Sequence, residues 1–347
     1  MQKIRGDELV DIGLIGAGSW GTALAMVLAD NGHRVHMWSR RRDQADEINK
    51  EHTNSKYLPD VLLSESITCS TNLGEVVKGK KAILLVVPSH IIREIAREAA
   101  GLIDQEALVI HAVKGLELGS YKRISEVLQE ELPVSLHKRL VVLSGPSHAE
   151  EVSRKSPTTI VVASQPIEAA EEAQDLLMNA YFRVYTNPDV VGLELGGALK
   201  NIIALGAGLS DGLGFGDNAK AALMTRGLAE ISRLGVHIGS DPLTFSGLAG
   251  VGDLIVTCTS KHSRNWRAGN LLGQGMSLEE VLEKMGMVVE GVKTTKAAYE
   301  LAEKIGVEMP ITRELYQVLF QAKSPRQAVE DLMGRVKRHE VEEIAQN

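Results

Sequence analysis

The fold is decided by the segment Asp11–Ala25, which has the sequence DIGLIGAGSWGTALA. A short apolar run enters a G-x-G-x-x-G turn, and an alanine-rich helix leaves it. In such a βα unit Gly16 permits the tight turn, Gly18 lets a pyrophosphate approach the backbone, and Gly21 lets the helix pack close to the strand. The helix N-terminus offers N–H groups that can bind an anion. The segment therefore predicts a dinucleotide site rather than an ordinary tight turn.

The composition is that of an ordinary globular protein long enough for two domains: 347 residues, 44% hydrophobic and 24% charged, with a net charge of −7. No basic stretch is interleaved with aromatic residues, so nucleic-acid binding is disfavoured. We find no apolar run approaching the length of a membrane span and no secretory signal pattern, and we expect a cytoplasmic protein that does not insert into membranes. Cys69 and Cys258, the two cysteines, are expected to be small buried residues in a reducing compartment.

Apolar runs alternate with helical patterns in the first part of the chain, which predicts a mostly parallel, doubly wound sheet. The apolar run Ala82–Val87 is typical of a strand buried on both faces. The other strands are predicted at Val10–Ile15, Val35–Trp38, Leu108–Val113, Leu140–Leu143, Thr159–Ala163 and Arg183–Tyr185. The helices of this part are predicted at Thr22–Asp30, Ile91–Ala100 and Glu168–Met178.

The pattern changes near Asn187-Pro188, beyond which the sequence favours helices and no series of strands. These helices are predicted at Val191–Gly208, Ala219–Leu234, Leu278–Lys284, Thr294–Lys304, Arg313–Phe320 and Arg326–Met333. We therefore predict an α/β chain with a dinucleotide-binding domain at residues 8–195 and a helical substrate and catalytic domain at residues 196–347. The polar tail from Lys337 to Asn347 is expected to be partly disordered.

The end of the second predicted strand bears on the choice of dinucleotide. An acidic residue usually stands there in NAD-binding folds and accepts hydrogen bonds from the ribose hydroxyls. In this chain Ser39 is followed by Arg40, Arg41 and Arg42, and Asp43 lies too far into the next segment. Arginines attract the 2′-phosphate of NADP, although a solvated basic loop would look the same. The sequence favours NADP, with NAD possible.

Lys200 is a candidate catalytic residue in the second part of the chain. Between Val190 and Leu209 the only charged residues are Glu194 and Lys200. A lysine on so apolar a helix either extends its ammonium to the surface or serves a purpose inside. Burial would lower its pKa, which suits a general acid that protonates a carbonyl oxygen as hydride arrives on the carbon. The spacing alone leaves both interpretations open.

Other polar groups also stand where ligands bind. Asp253 follows a glycine-rich segment and is either a functional carboxylate or a helix N-cap. Ser263-Arg264-Asn265 combines a hydroxyl, a guanidinium and an amide, which together can bind a phosphate. Lys114 and Ser147 each follow a predicted strand, at the sheet edge where open α/β folds bind ligands. The ten histidines have no metal-ligand spacing, and no nucleophile elbow appears, so neither a metal site nor hydrolase chemistry is supported.

These motifs, in this order, resemble the bacterial-type NAD(P)-dependent glycerol-3-phosphate dehydrogenases over nearly the whole chain. The matching segments are Gly16–Ala23, Val87–Ser89, Val113–Gly115, Ser144–Ser147, Leu199–Ile202, Gly250–Leu254, Ser263–Asn265 and Val289–Gly291. The resemblance implies an N-terminal Rossmann-like domain and a helical domain of the 6-phosphogluconate dehydrogenase-like type. It also implies interconversion of dihydroxyacetone phosphate and sn-glycerol 3-phosphate, which supplies glycerophospholipid synthesis.

The resemblance further implies a set of site residues, with Lys200 as the proton donor and acceptor. To the motif glycines Gly16, Gly18 and Gly21 it adds the cofactor contacts Ser19, Trp20, Arg40, Arg41, Lys114, Ala149, Arg264, Val288 and Glu290. The implied substrate contacts are Lys114, Gly145, Ser147, Lys200, Asp253, Ser263, Arg264 and Asn265. Because all-helical second domains often dimerise, we expect a homodimer.

Two other functions compete with this interpretation. A related dehydrogenase acting on a 3-hydroxy acid or on 6-phosphogluconate would pair the same kinds of domain and also use a helix lysine. The phosphate-binding group Ser263–Asn265 argues for dihydroxyacetone phosphate instead. A non-catalytic dinucleotide sensor would require an interaction module, such as a basic helix-turn-helix, and none is evident in the sequence.

Overall fold

The apolar runs of the first part of the chain form the eight strands of one sheet in the computed structural model, which describes residues 9–337. The strands are β1 (Asp11–Ile15), β2 (Arg34–Trp38), β3 (Ile67–Ser70), β4 (Ala82–Leu85), β5 (Leu108–His111), β6 (Leu140–Ser144), β7 (Thr158–Ala163) and β8 (Phe182–Asn187). Their order across the sheet is β3-β2-β1-β4-β5-β6-β7-β8, and neighbours are parallel except for β6 and β7. The predicted mostly parallel sheet is confirmed.

Helices cover both faces of the sheet. They are α1 (Ser19–Asp30), α2 (Arg42–Glu51), α3 (Leu73–Val77), α4 (Ile92–Ala99), α5 (Ile124–Glu131), α6 (Ala149–Val152) and α7 (Ile167–Leu177). Successive residues of β4 enter different apolar clusters, since Leu84 belongs to one cluster and Ile83 and Leu85 to another. A strand that is buried on both faces in this way reads as a continuous apolar run, which is why β4 and β5 were predictable.

The strand β3 and the helix α2 were not predicted. In α2 only Gln44, Ala45 and Ile48 are buried, so the helix has little of the apolar periodicity that marks a helix in sequence. The edge strand β3 is four residues long and buries Ile67 and Cys69. Both cysteines of the chain are buried free thiols, as expected.

The second part of the chain is helical throughout its described length. Its helices are α8 (Val190–Gly212), α9 (Asp217–His237), α10 (Asp253–Thr259), α11 (Arg264–Gly273), α12 (Leu278–Met285), α13 (Glu290–Ile305), α14 (Pro310–Phe320) and α15 (Pro325–Met333). Short helical turns at Pro242–Ser246 and Leu248–Gly252 lead into α10. The sequence predicted no series of strands after Val190, and this prediction is confirmed for the residues up to Lys337.

The helix α8 corrects one prediction. It spans 23 residues and is long and apolar enough to cross a membrane, although no apolar run of that length was expected. Glu194 and Lys200 interrupt the apolar sequence of α8, so no uninterrupted apolar run of membrane length is visible in the sequence. Every residue from Gly192 to Ser210 is buried, so α8 is the core helix of the helical part.

The chain divides into two compact units at a different place from the predicted domain boundary. The sheet unit consists of the chain up to Val113 together with Ile124–Val190, and the helical unit consists of Lys114–Arg123 together with the chain from Val191 onward. The division falls before residue 195 because α8 is continuous from Val190, and Leu195 is already part of the helical core. The segment Lys114–Arg123 joins the helical unit because Leu116 packs in that same core. The polar tail beyond Lys337 lies outside the described residues, as do residues 1–8.

Candidate functional site

The glycine turn between β1 and α1 has the backbone that an anion site requires. Gly16 adopts a positive φ of 120°, which side chains other than glycine rarely adopt. A Cβ at Gly21 would lie 1.9 Å from the carbonyl oxygen of Gly16, so only glycine allows this helix to start so close to the turn. Gly18 is the N-cap of α1, and a Cβ built there meets open space. The first turn of the helix, Ser19–Thr22, is uncharged. An anionic pyrophosphate fits this arrangement.

A buried network of neutral side chains fixes the glycine turn through the carbonyl oxygen of Ala17. Nε2 of Gln44 and Nδ2 of Asn54 both donate to the carbonyl oxygen of Ala17, at 2.5 and 3.0 Å. Asn54 also donates to Oγ1 of Thr22 at 2.8 Å, and Oε1 of Gln44 accepts from Oγ of Ser39 at 2.6 Å. The network joins the turn to the end of β2. Sequence reasoning missed Gln44 and Asn54, because nothing local distinguishes a buried amide from a surface one.

The remaining predicted contacts of the first helix lie at its start. Ser19 is the first residue of α1, and its hydroxyl donates to the carbonyl oxygen of Tyr57 at 2.8 Å. Trp20 follows it and is half-buried. Both residues therefore lie beside the glycine turn.

The arginine loop after β2 presents its guanidinium groups unequally. Arg40 is exposed, whereas Arg41 is paired with Asp43, Nε donating to Oδ1 at 3.1 Å. Ser39 is buried, and its Oγ accepts from the backbone N–H of Arg41 at 3.1 Å. Asp43 therefore partly neutralises Arg41, which leaves Arg40 as the more available cation for a 2′-phosphate.

The turn after β6 collects three further predicted residues. Gly145 has a positive φ of 121°, and the hydroxyl of Ser147 donates to its carbonyl oxygen at 3.0 Å. Ala149 is the first residue of α6 and is buried. Because β1, β4, β5 and β6 run parallel, this turn lies at the same edge of the sheet as the glycine turn.

The helical unit contains a cluster of charged groups that sequence reasoning had only partly joined. Nζ of Lys200 donates to Oδ1 of Asp253 and, at 2.8 Å, to Oγ1 of Thr257. Nζ of Lys114 donates to the other carboxylate oxygen, Oδ2, at 2.7 Å. We call Lys114, Lys200, Asp253 and Thr257 the lysine cluster. Lys200 is 6% exposed and Asp253 1%, so Lys200 does not extend to the surface. The N-cap of α10 is Gly252, so the N-cap interpretation of Asp253 is wrong.

Burial and charge adjust the protonation of the lysine cluster. Burial lowers the pKa of Lys200 to about 7; Asp253 acts in the opposite direction, and the positive charge of Lys114 lowers the pKa further. Burial alone would raise the pKa of Asp253, but the ammonium groups of Lys114 and Lys200 outweigh it and hold that pKa below its usual range. Lys200 is thus poised to gain or lose a proton near neutral pH, beside a carboxylate that stays ionised.

Local sequence explains how these groups meet. A Cβ at Gly196 would lie 2.5 Å from the carbonyl oxygen of Ala249, so glycine lets α8 approach the helical turn that leads to Asp253. Gly196 is four residues before Lys200 and therefore on the same face of α8. Thr257 is likewise four residues after Asp253 on α10, and its hydroxyl donates to the carbonyl oxygen of Asp253 at 2.6 Å. That i, i+4 spacing was the signal that could have identified Thr257.

The predicted phosphate-binding group lies at the start of α11. Ser263 is its N-cap, and its Oγ accepts from the backbone N–H of Trp266 at 3.2 Å, which leaves the hydroxyl proton to donate. Arg264 is exposed, and its Nη1 lies 3.5 Å from the carbonyl oxygen of Val288. The structure therefore brings Arg264 next to the segment that carries Val288 and Glu290, the first residue of α13.

Both polar atoms of the Asn265 side chain form hydrogen bonds within the helical unit. Its Nδ2 donates to Oδ1 of Asn201 at 2.8 Å, and its Oδ1 accepts from the backbone N–H of Gly291 at 2.9 Å. These bonds join α8, α11 and α13. Asn201, which follows Lys200, had been assigned no role from the sequence, like Thr257. Asn265 therefore binds the residue that directly follows Lys200 on α8.

Both halves of the chain match family models. Residues 11–170 match the model described as the NAD-dependent glycerol-3-phosphate dehydrogenase N-terminus, and residues 189–330 match the corresponding C-terminus. The chain is 62% identical over 336 residues to "Glycerol-3-phosphate dehydrogenase [NAD(P)+]" of Bacillus cereus (strain B4264), which covers 97% of this chain and 99% of the relative.

Solved structures agree with the family models. A crystal structure of glycerol-3-phosphate dehydrogenase from Coxiella burnetii matches with a TM-score of 0.89 and 40% identity, over 94% of this chain and 99% of that one. The glycerol-3-phosphate dehydrogenase of Saccharomyces cerevisiae matches with a TM-score of 0.81 and 29% identity, over 94% and 100%. The sheet and the helical unit thus recur together in these proteins.

Proposed function

Because this chain belongs to the NAD-dependent glycerol-3-phosphate dehydrogenase family, we propose that it interconverts dihydroxyacetone phosphate and sn-glycerol 3-phosphate. The observation that carries the proposal is Lys200, a buried lysine with a pKa lowered to about 7 and held by Asp253 and Thr257. A group of that kind can protonate a ketone oxygen near neutral pH and can take the proton back in the reverse direction.

The cofactor is assigned to the glycine turn. The turn shaped by Gly16, Gly18 and Gly21 would hold the pyrophosphate together with the first turn of α1, and the other contacts come from the family pattern. Those contacts are Ser19, Trp20, Arg40, Arg41, Lys114, Ala149, Arg264, Val288 and Glu290. When bound, the nicotinamide supplies or accepts the hydride. We propose that NADP is preferred and NAD accepted, because an exposed Arg40 follows β2 where NAD-binding folds carry an acid.

The substrate phosphate is assigned to the start of α11. Ser263 offers its hydroxyl proton, Arg264 its guanidinium and the helix N-terminus its partial positive charge. Asn265 fixes this end of α11 through its bonds to Asn201 and Gly291 and adds an amide contact. Gly145 and Ser147 complete the family's set of substrate contacts.

The chain's part in the chemistry is a proton transfer at the carbonyl oxygen. In the reduction, the Nζ of Lys200 gives its proton to the oxygen that becomes the C2 hydroxyl, and in the oxidation the neutral amine accepts that proton. Asp253 and Thr257 hold Nζ in place, because each accepts a hydrogen bond from it. Lys114 adds a second positive charge, which stabilises negative charge developing on the oxygen.

Turnover with defined acceptors tests this proposal. The purified protein is expected to oxidise NADPH with dihydroxyacetone phosphate, and to oxidise sn-glycerol 3-phosphate in the reverse direction. 3-Hydroxy acids and 6-phosphogluconate serve as competing substrates in the presence of NADP. Turnover of either competitor without turnover of dihydroxyacetone phosphate would contradict the proposal.

We also propose the setting in which the enzyme works. It supplies glycerol 3-phosphate for phospholipid synthesis in the cytoplasm, where its two buried free thiols suit a reducing environment. We expect no membrane insertion, because the helix of membrane length among residues 9–337 is a buried core element. It forms a homodimer, as all-helical second domains often do. Analytical ultracentrifugation tests the dimer by measuring the mass of the protein in solution. The role in phospholipid synthesis predicts that cells lacking the protein grow only when glycerol 3-phosphate is supplied.

A further inference from the structure

The segment Lys114–Arg123 is a short loop that belongs to the helical unit, although the chain before and after it belongs to the sheet unit. Leu116 and Arg123 form an antiparallel bridge, and the backbone N–H of Glu117 donates to the carbonyl oxygen of Lys122 at 3.0 Å. The two ends of the loop are therefore held side by side. Lys114 lies two residues before one side of that bridge, and Arg123 is the other side.

Contacts of Leu116, Tyr121 and Arg123 attach the loop to the helical unit, and Tyr121 packs against the edge of its core. Leu116 is 3% exposed and packs in the helical core. Nη1 of Arg123 donates to Oε2 of Glu194 at 2.7 Å, and their side chains are 18% and 3% exposed. A buried, charge-assisted pair of this kind holds its partners in one geometry, because either charge alone would be poorly solvated.

Glu194 lies on α8, six residues before Lys200. The helix that carries Lys200 thus also holds the loop that carries Lys114. At the other end of the loop, Nζ of Lys114 reaches the carboxylate that Lys200 binds, at 2.7 Å from Oδ2 of Asp253.

We infer that Arg123 and Glu194 are positioning residues that anchor Lys114 against Asp253 and thereby set the charge around Lys200. This inference rests on the proposed role of Lys200 as the proton donor. Arg123 and Glu194 act through Lys114 and the loop.

The anchor has an electrostatic consequence with a definite sign. The groups that face Lys200 are the carboxylate of Asp253, the ammonium of Lys114, the hydroxyl of Thr257 and the thiol of Cys258. The charge of Lys114 lowers the pKa of Lys200, and that of Asp253 raises it. A loosened anchor lets the ammonium of Lys114 move away while Asp253 stays, so the pKa of Lys200 rises.

The test compares Arg123→Lys and Arg123→Met with Lys114→Met. Two quantities are measured: the pH dependence of kcat/KM for reduction of dihydroxyacetone phosphate, and the titration of Lys200 Nζ by NMR in cofactor-free protein labelled with ¹⁵N-lysine. Both Arg123 variants are expected to raise the pKa of Lys200 by roughly half or more of the shift that Lys114→Met produces. Adding Arg123→Lys to Lys114→Met should cause no further shift. Arg313→Lys, in an exposed pair with Glu303, is the matched control and should leave the pKa unchanged.

The outcomes separate the anchor from a merely structural pair. A lower melting temperature with an unchanged pKa of Lys200 in Arg123→Lys would overturn the inference, and so would a further shift in the double variant. If Arg123→Met fails to fold, the milder Arg123→Lys decides. If the wild-type protein does not reduce dihydroxyacetone phosphate, the proposed function fails, and the NMR titration still decides whether Arg123 controls the pKa of Lys200.

Discussion

The glycine turn of the sheet unit and the lysine cluster of the helical unit are built from opposite materials. Backbone atoms form the turn, and the neutral amides of Gln44 and Asn54 fix it. The charged groups of the cluster are two ammonium groups, of Lys114 and Lys200, on the one carboxylate of Asp253. A neutral site holds its geometry over a wide pH range, whereas buried charges respond to every proton and every neighbouring charge.

The glycine turn and the lysine cluster are expected to have different functions. Changes in the glycine turn should alter the affinity for the cofactor and leave the rate of the bound complex nearly intact. Changes in the lysine cluster should alter the rate and its pH dependence. A glycine-turn variant that lowered the rate of the bound complex, or a lysine-cluster variant that lowered the affinity for the cofactor, would show that the two regions are not separate in function.

The largest effect is expected for Lys200→Ala. Loss of the general acid should lower kcat by ~10²–10⁴-fold, while binding of NADPH stays nearly unchanged. Steady-state kinetics and cofactor titration measure the two quantities. Lys296→Ala, at an exposed lysine of α13, is the matched control. Wild-type kcat in Lys200→Ala would remove the assignment of the proton donor.

Arg264→Ala should raise KM for dihydroxyacetone phosphate. Loss of a charge-assisted contact to phosphate costs about 1.5–3 kcal/mol, or roughly 10- to 150-fold in KM. Arg264 is exposed and contacts the carbonyl oxygen of Val288 at 3.5 Å, so its removal should leave the melting temperature nearly unchanged. Arg267→Ala, on the same helix and also exposed, serves as the control. A KM within twofold of wild type, with a sharply lower melting temperature, would make Arg264 structural.

The arginine loop should decide between the two cofactors. Neutral residues at Arg40 and Arg41 are expected to weaken NADPH binding severalfold and to leave NADH binding nearly unchanged, because only NADPH carries a phosphate for them to meet. Arg40→Ala alone should account for most of the loss, since Asp43 already pairs with Arg41. The effect should shrink at high salt because the loop is exposed. Equal losses for NADH and NADPH would show that the arginines hold the loop or the adenine instead.

Two glycine variants sharpen the account of the turn. Gly18→Ala should leave the free energy of unfolding within about 0.5 kcal/mol of wild type, because its Cβ meets open space, yet it should weaken cofactor binding. Gly21→Ala should destabilise the fold by ~1–3 kcal/mol, since its Cβ would overlap the carbonyl oxygen of Gly16. Denaturant unfolding and cofactor titration separate these effects. Unaltered cofactor affinity in Gly18→Ala would place the pyrophosphate elsewhere.

The two regions also differ in how far sequence could predict them. The three motif glycines, Gly16, Gly18 and Gly21, lie within six positions, and each has a local reason to be glycine. Lys114, Lys200 and Asp253 are far apart in the chain, so only the fold reveals that they share one carboxylate. Lys200 was singled out by its isolation, Lys114 by its place after a strand and Asp253 by the glycine-rich segment before it, but nothing local showed that the two lysines bind the same carboxylate.

Several findings carried no local signal at all. Gln44 and Asn54 are polar residues of ordinary sequence context, and their burial depends on the packing of α2 and the following loop. The boundary at Val190 depends on α8 being one continuous helix. Two of its charged residues, Glu194 and Lys200, are buried in ion pairs with Arg123 and Asp253, which lie far from them in the sequence.

The most direct test of the central claim is the pH dependence of kcat/KM for reduction of dihydroxyacetone phosphate in the wild-type protein and in Lys200→Ala. The reduction needs protonated Lys200, so the wild-type profile should fall as pH rises through about 7, the pKa to which burial lowers this lysine. The substrate's own phosphate titrates in both proteins, and the comparison removes its contribution. We expect the fall near pH 7 to be absent from the residual activity of Lys200→Ala. The same fall in both proteins, or a flat profile in the wild type, would contradict the assignment of Lys200 as the proton donor.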